Sequence, residues 1–203
     1  MKKISIIFYL LSIILFAHSA KACIQHKQTP VINFSLPAYT IKVERIDLGG
    51  NLHGMVSARF QESYTITVDA VPVRGGGYCV ALTAVDARAG YTEFIIKIDK
   101  RYASGSCEYE IIMAHEMRHV NAYIDTISNF SDALASTIFN AANSVKPRKL
   151  CSGCDIDEII DTMKYEIFSH PEMTLLRQRI NATIEFKNRQ IDAGHDHTQI
   201  ARC

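Results

Sequence analysis

Between Cys107 and Asn143 the chain carries neither proline nor glycine, and this stretch limits the possible folds more than any other feature. An interior proline would remove a main-chain hydrogen bond, and a glycine would cost a helix about 1 kcal/mol against alanine. Their absence predicts one long helix or two abutting ones, divided at Asn129-Phe130-Ser131. Ser104-Gly105-Ser106 offers capping hydroxyls just upstream, and Glu108 and Glu110 place negative charge in the first turn, where the helix dipole favours it. After the loop around Pro147, Asp155 with Glu158 three residues later marks another helix start. That helix runs towards His170, where Pro171 forces a boundary, and a last helix spans about Glu172 to Ala193 and stops at Gly194.

Upstream of Cys107 the period changes. Tyr39 to Leu48 alternates and ends at the turn signal Gly49-Gly50-Asn51. Ser63 to Val71 alternates again, with Tyr64, Ile66 and Val68 on one side and Thr65, Thr67 and Asp69 on the other. Tyr78 to Val85 follows the turn Gly75-Gly76-Gly77, and a short link through Asp86 and Gly90 leads to Tyr91–Ile98, where Phe94, Ile96 and Ile98 share a face. Short links between consecutive strands favour an antiparallel sheet. Strands first and helices later predict one α+β domain over residues 23–203.

The first residues bear on the compartment. Lys2 and Lys3 precede an apolar run from Ile6 to Ala17, and Ala20-Lys21-Ala22 supplies small residues where a signal peptidase reads. The run is shorter than the roughly 20 residues that span a bilayer. Residues 1–22 therefore read as a signal peptide of bacterial type, cleaved after Ala22, with the mature chain in the periplasm or the medium and without a transmembrane helix. Cleavage would leave Cys23 first, the position a lipoprotein uses, although Lys21 fits a lipidation signal poorly. It would also remove Lys2, Lys3 and Lys21 and no acid, so the mature charge is (22 − 3) − 21 = −2. Basic residues are scattered, so neither nucleic acid nor an acidic membrane surface is expected as a partner.

All six cysteines (Cys23, Cys79, Cys107, Cys151, Cys154 and Cys203) lie in the mature part, and an even count in an exported chain reads as disulfides. A bond between Cys23 and Cys203 would tie the two mature ends. Cys151-Ser-Gly-Cys154 also has the spacing of a redox motif or half a zinc knuckle. The first wants the pair opening a helix after a strand, and here it follows a loop with Lys146-Pro147; the second wants another close pair. Structural disulfides are the expectation.

His115-Glu116-Met117-Arg118-His119 has the HExxH pattern inside the predicted helix. Positions four apart return to within about 40° of one face, so both imidazoles can meet one zinc ion at about 2.0–2.1 Å. Zinc lowers the pKa of a bound water towards about 7. Glu116 beside that face would take the proton of that water and pass it to a leaving amine. The pattern alone is moderately specific, and the apolar turn Ile111-Ile112-Met113-Ala114 supports its helical setting.

A catalytic zinc needs a third protein ligand and an open position. Asp125 lies ten residues after His115, the spacing of peptidases with a ligand just past the helix, but Ala122 stands where those have glycine. A continuing helix would carry Asp125 about 9 Å beyond His119. Glu158, Asp161 or Glu166 would imitate families with a downstream carboxylate. His195 and His197 follow Gly194 in a polar tail able to fold back over the site. His26, His53 and His170 have no supporting context. Tyr109, Tyr123 or Tyr165 could stabilise an oxyanion, with core packing as the plainer role of each.

The HExxH helix after a sheet, the long helical stretch and the closing Arg189-Gln190-Ile191-Asp192…His197 segment resemble a bacterial family of secreted zinc-dependent proteases, a domain of unknown function. Its members end in an aspartate followed five residues later by histidine, and Asp192 and His197 match that spacing; no glycine follows His197 here, where the family has one. The resemblance implies a zincin-like fold and favours His197 as the third metal residue with His115 and His119. The leading expectation is thus a secreted zinc metallopeptidase, with Glu116 as general base and peptide or protein as substrate, received on an edge strand near Tyr91–Ile98. The rival expectation is an exported, disulfide-stapled binding or adaptor domain with an inactive or structural zinc site. A weaker third is an amidase acting on cell-wall peptides.

Overall fold

A computed structural model of the chain describes residues 23–194 and 200–203; the expected signal peptide lies outside them. In chain order the elements are β1 (Val31–Ser35), β2 (Thr40–Ile46), β3 (Gly54–Pro72), β4 (Tyr78–Asp99), α1 (Cys107–Asn129), α2 (Ser131–Ser144), β5 (Arg148–Leu150), α3 (Ile156–Phe168) and α4 (Pro171–Asp192). The fold is mixed α and β, with four helices after the main strands.

The helix ends follow local chemistry. Ser106 caps α1, its Oγ accepting the Tyr109 N–H at 3.2 Å. At the other end the Phe130 N–H reaches the Thr126 and Ile127 carbonyls, so α1 and α2 divide where the sequence places the break. Asp155 caps α3 by accepting the Asp157 N–H at 2.9 Å, and Pro171 opens α4, where its missing N–H costs nothing.

The sheet differs from expectation in two ways. It is mixed: β2 runs parallel to β4, from Thr40 opposite Glu93 to Ile46 opposite Asp99, whereas β5 runs antiparallel. The reason is the turn between β3 and β4, closed by the Val73 N–H on the Gly77 carbonyl at 3.2 Å. It reverses the chain once more and sends β4 in the direction of β2. Secondly, Tyr78–Val85 and Tyr91–Ile98 are one strand of 22 residues. Gly90 does not turn the chain. It lets the strand lie against Pro37, whose Cδ would be 2.7 Å from an added Cβ. β4 is the centre of the sheet, paired with β1, β2, β3 and β5, so Tyr91–Ile98 is not an edge.

The chain forms two compact units. One takes in the described residues through Asn33, Tyr64–Asp86 and Ala135–Met173. Its core holds Val80, Val85, Ile138, Met163, Ile167 and Met173, all essentially without exposure or nearly so. The other takes in Phe34–Ser63, Ala87–Leu134 and Thr174–Cys203, and it buries Phe94, Ile96, Ile98, Ile112, Val120 and Ile184. Each such side chain contributes roughly 1.5–3 kcal/mol of burial.

All six cysteines are paired: Cys23 with Cys79, Cys107 with Cys203 and Cys151 with Cys154. The expected tie between Cys23 and Cys203 is corrected. Cys23 is buried against Cys79 on β4, and Cys203 instead fastens to the first residue of α1. Among the described residues no helix is long and apolar enough to cross a membrane.

Two neighbouring glycines separate backbone strain from crowding. Gly76 and Gly77 both have positive φ (92° and 86°), but only at Gly77 would a Cβ strike backbone, 2.4 Å from the Leu150 carbonyl oxygen. Gly76→Ala should cost about 1 kcal/mol in urea unfolding and Gly77→Ala at least about 2 kcal/mol. Equal losses would deny the crowding at Gly77.

Candidate metal centre

The four-residue spacing on α1 brings His115 and His119 together, with their Nε2 atoms 3.1 Å apart. Asp192, the last residue of α4, completes a group of three. Its Oδ1 lies 3.1 Å from His119 Nε2 and 3.5 Å from His115 Nε2. Ligands about 2.0–2.1 Å from a tetrahedral zinc stand about 3.3–3.4 Å from one another. The three separations bracket that value, so the donors fit one face of a zinc tetrahedron. The imidazoles are largely buried, whereas the Asp192 side chain is 62% exposed, so solvent reaches the group past the carboxylate.

A second layer of contacts orients the rings. His119 Nδ1 lies 3.0 Å from Asn188 Oδ1, and Asn188 Nδ2 faces the Tyr123 hydroxyl at 3.4 Å. An amide oxygen only accepts, so this contact places a hydrogen on His119 Nδ1. Asn188 and Asp192 are four apart on α4 and share a face. Behind them Tyr123 meets Tyr91 edge-on at 5.0 Å. Burial, with Tyr123 adding, pushes the Tyr91 hydroxyl up to about 12, so it stays protonated. His115 Nδ1 stands 3.1 Å from Arg118 Nη2. A guanidinium only donates, so here the His115 hydrogen sits on Nε2, between His119 and Asp192. Holding a metal through that atom needs the other tautomer, with Arg118 turned away.

Glu116 is buried, with 5% of its surface exposed, and lines the same cavity as the three donors. Burial pushes its carboxyl above the ordinary range; His115 and His119 pull it down, and Asp192 adds to the rise. Its space exists because residue 54 has no side chain: a Cβ on Gly54 would lie 2.6 Å from Glu116 Oε1 and 2.8 Å from Ile112 Cγ2. The loop leading to Gly54 is latched from the end of β4. The Asp99 N–H donates to the His53 carbonyl at 2.9 Å, and the buried Asp99 carboxylate accepts the Leu48 and Arg101 N–H groups. These backbone donors, the Arg101 N–H first, hold the Asp99 carboxyl below the usual carboxylate range. Arg101 in turn donates to the Leu52 carbonyl at 3.0 Å. The cavity measures about 450 Å³, with walls from Leu52–Val56, Ile111, Ile112 and Tyr123, within the usual range of ligand sites.

Among the described residues the carboxylate that meets the imidazoles is Asp192, not the other acids considered. Asp125 lines a separate concavity with Arg118 and Asn121. Asp161 pairs with Lys164, Glu166 with Arg148, and Glu158 is exposed in the first turn of α3. His195 and His197 lie outside the described residues. Of the tyrosines, Tyr123 lines the cavity and Tyr165 is 68% exposed. Sequence reasoning singled out Asp192 only through its spacing to His197, and it passed over Asn188, Gly54 and the place of His53 in the cavity wall. The four-residue step from Asn188 to Asp192 was the available signal. The chain matches no family model, no curated protein and no solved structure.

The fit between Gly54 and Glu116 can be measured as a coupling. Gly54→Ala should destabilise by about 1–3 kcal/mol through overpacking. In the double variant with Glu116→Ala the losses should fall short of additivity by more than about 0.5 kcal/mol. Strict additivity would show that the two residues do not compete for space.

Proposed function

We propose that the chain is an exported zinc-dependent metallopeptidase of zincin-like fold. The observation that carries this reading is the triangle of His115 Nε2, His119 Nε2 and Asp192 Oδ1, with separations of 3.1–3.5 Å, beside a buried glutamate. Asp192 takes the third-ligand place that the sequence resemblance gives to His197. Zinc, when bound, supplies a Lewis acid that polarises a carbonyl and acidifies water. The rest falls to the chain. Glu116, kept off the donor triangle by its place against Gly54, takes a proton from the attacking water and returns it to the departing amine nitrogen. Asn188 holds His119 in the tautomer that leaves Nε2 free. Tyr123 keeps Asn188 turned that way round.

An extended peptide is the substrate this cavity suits. The first residues of β3, Gly54 to Val56, form part of its wall. β3 pairs with β4 and, among the described strands, with no other. Its outer main-chain groups can therefore add a peptide as a further strand, the role the sequence alone assigns to Tyr91–Ile98. Export agrees with three disulfides and no free cysteine, since such bonds persist in oxidising compartments.

Purified mature protein should carry about one zinc per chain by elemental analysis, the occupancy expected of a single site. His115→Ala and Asp192→Ala should each lose it, and His197→Ala should keep it. The reverse result for the last two would restore His197 as ligand. Glu116→Gln should retain zinc while peptide hydrolysis falls about 10²–10⁴-fold. Zinc bound with no turnover of any peptide library would replace this reading by the adaptor. Asn188→Ala should weaken zinc binding about 10–100-fold in competition with a chelator, and an unchanged affinity would remove its orienting role.

A further inference from the structure

The local pair Cys151–Cys154 does not resemble the other two disulfides. It spans 3 positions, against 56 for Cys23–Cys79 and 96 for Cys107–Cys203. In chain-entropy terms so short a loop shifts the folding equilibrium on the order of a hundredfold less than the longest one, so this bond is the weakest staple of the three. Both of its cysteines and the intervening Ser152 and Gly153 are exposed. Cys23 and Cys79, by contrast, show only 2% and 0% of their surfaces.

The setting also differs from the loop expected of the sequence. β5 (Arg148–Leu150) ends one residue before Cys151, held to β4 by the pairs Tyr78–Leu150 through Val80–Arg148. Asp155, the residue after Cys154, is the cap of α3. The pair thus lies in the exposed turn between a strand and a helix, ahead of the helix cap and not on its first turn. Both sides of the turn are anchored without the S–S bond. The Cys154 N–H donates to the Cys151 carbonyl at 3.2 Å, and Gly153 takes the positive φ of 85° that the turn needs. Reduced, the two thiols would stay within reach of each other.

We propose that Cys151–Cys154 is a redox-active disulfide that exchanges with dithiols, independently of the metal centre. A thiolate of the dithiol attacks one sulfur of the pair. The S–S electron pair leaves on the other cysteine as thiolate, which takes up a proton, and a mixed disulfide remains. The second thiol of the reagent, as thiolate, attacks its own sulfur in that mixed bond and closes to a disulfide. The remaining cysteine is released and protonated. Two electrons and two protons pass from the dithiol to the pair, and the fold stays as it was.

The test uses the oxidised native protein in increasing dithiothreitol, quenched with acid, alkylated and mapped by mass spectrometry. Cys151 and Cys154 should be labelled together, at about tenfold less reductant than any other cysteine. The far-UV circular dichroism should be unchanged, and the bond should reform on transfer to oxidised glutathione. Labelling of Cys107 and Cys203, or of Cys23 and Cys79, at the same or lower reductant would overturn the proposal. So would loss of the dichroism as this pair opens. The double variant Cys151→Ser, Cys154→Ser serves as a second measure: it should unfold with oxidised wild type, and a collapsed fold would make the bond structural.

Discussion

Every strand of the sheet hydrogen-bonds to β4, and what β4 requires shapes the rest. A strand with neighbours on both edges has its main-chain groups paired on both sides. β4 is buried without a break from Cys79 to Leu82 and again at Phe94, Ile96 and Ile98, while Asp86 and Arg88 between these stretches are exposed. Its last residue, Asp99, then acts as a fastener rather than as core. One N–H and two carboxylate oxygens, with Arg101 beside them, fix the loop that delivers Gly54 to Glu116. The space for the candidate base is therefore set by the end of the central strand, although the base itself belongs to α1.

What could be read beforehand was what short-range chemistry decides. Ser106 and Asp155 cap the helices expected of them, the division falls at Phe130, and Pro171 opens the last helix. Each of these is settled within one turn of chain. Gly90 misled because a glycine in a strand serves either a turn or a close approach, and only Pro37, far away in sequence, decides which. The first half of β3 and the three residues of β5 lack an alternation long enough to recognise. The partners of Cys23 and Cys203 are tertiary facts that no spacing encodes.

The candidate site divides along the same line. His115 and His119 are neighbours by helical period, so their meeting was legible. Asp192 reaches them from another helix, and it came forward only through the spacing of the closing segment. The supporting groups differ in origin: His119 has a chain through Asn188 on α4 to Tyr123, and His115 meets the Arg118 guanidinium of its own helix.

The position of Asp192 in α4 has a consequence of its own. A carboxylate on the last residue of a helix faces the negative end of the macrodipole, where cations are favoured and anions are not. Arg189 in the last turn offsets part of this. A divalent ion would do so most completely, neutralising the acid and the helix end together. An ion held there would thus act on more than the donor triangle: it would also set how firmly α4 ends.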